Sequence, residues 1–243
     1  MAAKLGLVLK HPISPLAFRA AIFALLLYWL RAGTLPAAVF FILGASWLYF
    51  RPLFNSSTFI IALAVLLALA GLIVPQLSGA GLGLVSHAAI IYLAFLFFIL
   101  LGLKNLVLVR RDRWYLLVSF SLFYLLLLNF FLIDRSSWFI GKWLFFGLLA
   151  LGLFWELLKI TAGQSGRKIT AAALILTLII SQLLLIISWL PLNFAGSANL
   201  AMLAVFLLAD LALNRSPSKK LVARDLLIYL ALSAAVLLGA GWG

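Results

Sequence analysis

No cysteine occurs anywhere in the 243 residues. That excludes disulfides, thiolate metal sites and cysteine nucleophiles, and it assigns no redox compartment. Charge is almost as scarce: 9% of residues are charged, and only five of these are acidic against 18 Lys and Arg. A soluble domain of this size needs far more charge on its exposed face. Polar stretches long enough to form an extramembrane domain are lacking. So are the HExxH, GxSxG and GxxxxGK[ST] motifs of zinc hydrolases, serine hydrolases and phosphate loops. The SGAGLG run at 78–83 has no lysine to complete a phosphate loop. His11 and His87 are the only histidines, and His11 precedes the first apolar run, so a membrane-buried bis-histidine haem is excluded. Neither Lys104 nor Lys142 falls near the centre of an apolar run, where a retinal Schiff base would lie. No cofactor and no metal is expected.

What is present is apolar length. Hydrophobic residues make up 67% of the chain. They fall in runs of ~18 residues or more, enough to cross ~30 Å of hydrocarbon. Barrel strands alternate polar and apolar with period two, whereas these runs are apolar on every side. The fold class is therefore all-α: one membrane-embedded helical bundle over residues 1–243. Nine spans are predicted, at 16–31, 35–50, 57–75, 84–103, 114–133, 137–158, 169–190, 197–213 and 225–242. Gly33 with Pro36, Arg51-Pro52, the loop from Pro75 to Gly83, and Pro191 supply breaks. The second run is short, ~16 residues, and residues 16–50 as a re-entrant pair are the alternative.

Orientation follows from basic residues. Lys4, Lys10, Arg19, Arg51, Lys104, Arg110, Arg111, Arg113, Lys159, Arg167, Lys168, Arg215, Lys219, Lys220 and Arg224 all fall on one side of this nine-span map, and Arg31, Arg135 and Lys142 on the other. The positive-inside rule makes the first side cytoplasmic, with the amino terminus inside and the carboxyl terminus outside. The first run lacks a small-residue cleavage site and reads as a retained span in a prokaryotic cytoplasmic membrane. A net charge of +13, distributed in short loops, points to anionic headgroups and not to nucleic acid. Lys104, Arg110, Arg111 and Arg113 form the densest basic patch and the expected headgroup contact.

Polar residues inside a bilayer are costly and are the places to look for function. Glu156 and Asp210 lie in the cytoplasmic half; as interfacial pairs with Lys159 and Arg215 they are structural, and together they form an acidic site if their helices touch. His87, Asn129, Asp134 and Asn193 form an outer set, in which His87 with Asp134 has the makings of a base and its orienting carboxylate. Gln182 is the most deeply placed strong hydrogen-bonding group, and bonding between helices accounts for it. Three functional classes remain, in this order: a permease-like or lipid-handling translocation component, a non-catalytic subunit or scaffold with membrane-protein partners, and a membrane-embedded enzyme for lipid-linked or phosphorylated substrates.

Overall fold

The computed structural model describes residues 13–51, 59–79, 83–105, 111–132, 139–162 and 166–213. All regular structure among them is helical: α1 Ile13–Leu30, α2 Leu35–Phe50, α3 Ile60–Gly79, α4 Gly83–Lys104, α5 Arg111–Leu132, α6 Phe139–Ala162, α7 Gly166–Ser188 and α8 Phe194–Leu213. Six of the eight are long and apolar enough to cross a membrane, and Ser14–Leu30 and Leu35–Phe50 are shorter. By helix length and composition this is a multi-pass integral membrane protein. The large outward-facing apolar side chains, among them Leu25, Leu43, Ile91, Leu148, Ile175 and Ile186, are what lipid as solvent favours and water does not.

Two expectations need correction. Nine spans were expected, and the described residues hold eight helices, six of full spanning length; the ninth expected span, 225–242, lies outside the described residues. The first two helices are short because a tight turn at 31–34 separates them, with Gly33 in the left-handed region at φ +64°. The second correction concerns Pro75, expected to open a loop. It lies inside α3, which runs on to Gly79. Proline removes one main-chain donor and crowds the carbonyl four residues back, here that of Gly71, the residue type with least bulk. Gly33 approaches closely enough that a Cβ there would meet the Pro75 ring at 3.8 Å. A neighbouring element thus supports the proline turn, as it does in many membrane helices.

The chain divides into two compact units, Met1–Val118 and Ser119–Gly243, with the boundary inside α5. In the first unit α1 packs on α2, α3 and α4, and α3 packs on α2 and α4. Its core is an aromatic stack. The Phe23 ring lies 4.1 Å from that of Phe97, nearly parallel at 8°, and 5.5 Å from Phe41. All three are fully buried, and they tie α1, α2 and α4 together at mid-height. In the second unit α6, α7 and α8 pack on one another. Phe123 meets Phe154 at 4.6 Å and Phe130 meets Phe146 at 5.3 Å, so α5 and α6 run antiparallel. The Trp143 indole donates to the Ser181 carbonyl at 3.1 Å, which makes α6 and α7 antiparallel as well. Gly147 faces Ser181 on α7, and a Cβ there would stand 3.5 Å from Ser181 Oγ, an ordinary contact.

Candidate functional sites at the helix ends

The carboxyl end of α2 gathers cations. The last carbonyls of any helix lack intrahelical donors, and the end carries partial negative charge. Here Lys104 Nζ, from the end of α4, donates to the Tyr49 carbonyl. Arg19 Nη1, from α1, donates to the Arg51 carbonyl. Lys104 is only 2% exposed, and its ammonium sits 4.6 Å over the Tyr49 ring and 5.9 Å over Phe50. The Arg51 guanidinium lies 5.0 Å over Trp47. Arg19 and Lys104 are close enough for their like charges to act on each other. Of the expected headgroup residues, Lys104 thus turns inward to α2, Arg113 is exposed, Arg111 is half-buried and Arg110 lies outside the described residues. Arg19 and Arg51 were legible only as topology charges; nothing local in the sequence marks their convergence.

At the other end of the same unit, Arg31 finishes α1 and meets α3 and α4. Its Nε donates to Ser78 Oγ at 3.3 Å, and Ser78 Oγ in turn donates to the Val74 carbonyl at 2.8 Å. Arg31 Nη1 is 3.3 Å from His87 Nε2, and His87 Nδ1 is 2.6 Å from the Gly83 carbonyl. A carbonyl only accepts, so Nδ1 carries the proton and Nε2 accepts from the arginine. The Arg31 guanidinium also lies 5.2 Å over the Tyr28 ring, with the His87 ring 6.2 Å from it. His87 is therefore joined to Arg31. The other half of the expected pair, Asp134, lies outside the described residues.

The second unit separates the remaining candidates. Asn129, on α5, is fully buried, and neither atom of its amide has a hydrogen-bond partner among the described residues. Beside it in sequence, Phe130 carries the buried Lys142 ammonium 4.4 Å over its ring. Asn193 caps α8, accepting from the Gly196 N–H at 2.7 Å. Gln182 is exposed on α7, and its side chain makes no hydrogen bond to another described residue. Packing between helices within the described residues therefore does not account for it. Glu156 is 5% exposed and Asp210 half-buried, each engaged by a neighbour. Their helices, α6 and α8, do touch. Lys159 lies exposed with its ammonium 4.8 Å over Trp155. Among the described residues no group of three or more His, Cys, Asp or Glu is placed to hold a metal. No protein-family model, curated protein or solved structure matches the chain.

Proposed function

We propose that the protein is a lipid-handling membrane component, permease-like in architecture, that grips anionic headgroups at the carboxyl end of α2, with that end on the cytoplasmic side. The observation that supports this reading is the convergence of Arg19, Arg51 and Lys104 from three helices. Residues 1–118 hold nine Lys and Arg but one carboxylate, Asp112, so the unit supplies little internal neutralisation. An arginine offers five donors in a planar fork, and one of those on Arg19 is spent on the Arg51 carbonyl. The rest suit a phosphate diester, which they address bidentately. The test is retention of phosphatidylglycerol against phosphatidylcholine by the purified protein, read by native mass spectrometry. Changing Arg19 and Arg51 to Gln is expected to weaken phosphatidylglycerol retention by about fivefold per charge removed. Unchanged selectivity in the double variant sinks the reading.

A second reading, a subunit of a larger membrane assembly, draws support from Gln182. Ala171, Ile175, Leu178, Gln182 and Ile186 are all exposed on α7 and fall at three- and four-residue spacing. An amide within such an apolar stripe is costly against lipid and satisfied against another helix.

A further inference from the structure

We infer that Arg31, Ser78 and His87, backed by Tyr28, form a proton-dependent binding site for a phosphodiester-type anion, carried by a lipid headgroup or by a small soluble phosphodiester. The site uses different residues and the opposite helix ends from the α2 cluster, and it does not depend on that reading.

With His87 neutral, its Nε2 lone pair faces Arg31 Nη1 at 3.3 Å while Nδ1–H is held by the Gly83 carbonyl at 2.6 Å. The Gly83 carbonyl fixes the tautomer, so the next proton has one place to go, Nε2. That proton turns an acceptor into a donor and sets two cationic N–H groups face to face. The arrangement is then unfavourable when empty and matched to a bridging anionic oxygen, which accepts from both. Ser78 holds the guanidinium from the other side through its 3.3 Å contact to Nε, and the Tyr28 face supports it at 5.2 Å. An arginine held on two sides loses less freedom on binding than a loose one.

Nothing nearby in this unit competes for the role of anion. Among the described residues, the charged or titratable groups facing His87 are Arg31 and Tyr28, both from α1. The α3 segment Ile60–Gly79 contains no titratable residue, and neither does α2 between Leu35 and Leu48. The unit's one carboxylate, Asp112, follows the far end of α4 in sequence, 25 residues from His87. His87 is exposed and Arg31 half-buried, so the site is open to ligand.

The experiment uses the full chain in phosphatidylcholine nanodiscs. Its probes are dimethyl phosphate and short-chain phosphatidylglycerol, both monoanions whose charge stays fixed across the pH range, unlike a phosphate monoester. Selective ¹⁵N labelling of the histidine rings gives two pairs of resonances, one pair each from His11 and His87, and His87→Gln assigns them. At least one probe is expected to shift the His87 resonance and to bind about tenfold more tightly at the acidic end of the histidine range than at the basic end, the worth of one charge-assisted hydrogen bond. His87→Gln is expected to flatten the pH profile, and Arg31→Gln to abolish binding at both ends. A response to dimethyl phosphate makes the source soluble; a response to the lipid alone makes it a headgroup. Binding that is equal at both pH extremes, or that keeps its pH dependence in His87→Gln, overturns the proposal. So does a wild-type His87 resonance that neither probe moves, an outcome that does not depend on any variant folding.

Discussion

Lys104 Nζ donates to the main-chain carbonyl of Tyr49 while resting 4.6 Å over the face of the same residue's ring. One ammonium thus closes the end of α2 and ties it to α4, 55 positions along the chain. Replacing Lys104 with Met keeps the stem and removes both interactions. The expected result is a loss of about 1–3 kcal/mol, the cost of leaving a buried carbonyl short of a donor. Unfolding in mixed micelles by SDS titration measures it. Arg substitution is not a conservative repair, because the planar guanidinium does not fit a point-charge position.

Asn129 is fully buried, with neither amide atom partnered among the described residues. Exchanging it for Leu removes a desolvation cost of about 1–3 kcal/mol and leaves nothing orphaned. The same titration is therefore expected to show Asn129→Leu at least as stable as the parent. A clear loss of stability means that the amide holds an internal water or another polar guest.

The cap of α8 predicts a reversal of sign. A Cβ on Gly196 would stand 2.9 Å from Asn193 Oδ1, the very atom that accepts from the Gly196 N–H. In the parent chain Gly196→Ala breaks the cap, and this offsets its gain of about 1 kcal/mol in helix propensity. After Asn193→Ala the obstruction is gone, so the same Gly196→Ala change is expected to stabilise. Additive effects of the two substitutions rule this account out.

Gln182→Leu separates the two readings of the exposed α7 stripe. Folding and monomer stability are expected to be unchanged, since the side chain makes no hydrogen bond to another described residue. If α7 docks on another membrane helix, blue-native electrophoresis of gently solubilised membranes shows a larger species that Gln182→Leu dissociates. An identical migration pattern for both chains removes the support that Gln182 lends to an assembly role.

The bundle class and most helix positions were legible because lipid leaves a coarse mark: long apolar runs punctuated by glycine, proline and charge. The second helix was read to the residue, since Pro36 opens it and Arg51-Pro52 closes it. Pro75 misled for the same reason that the other prolines helped: the rule is local, and the turn around Gly33 that supports it is not. Asn193 was flagged for its polarity; its capping role depends on the helix start that follows it. The partnership of Arg31 with His87 was invisible, because 56 residues separate them and no periodicity joins two helix ends. Gln182 shows the remaining limit. Its depth follows from counting, and Thr177, Ser181 and Ser188 mark the buried face of α7, but nothing local in the sequence says what the exposed Gln182 amide faces.

The sixteen residues of α2 rise about 24 Å at 1.5 Å per residue, short of the ~30 Å that a typical hydrocarbon core demands. With Arg31 just before it and Arg51 just after it, α2 has no apolar margin to extend into. A helix of this length set across a bilayer pulls the two leaflets toward each other, at a fraction of a kcal/mol for every ångström of mismatch. Acyl-chain length then becomes a control on the protein: thin membranes relax it, thick ones strain it or expel the α1–α2 hairpin.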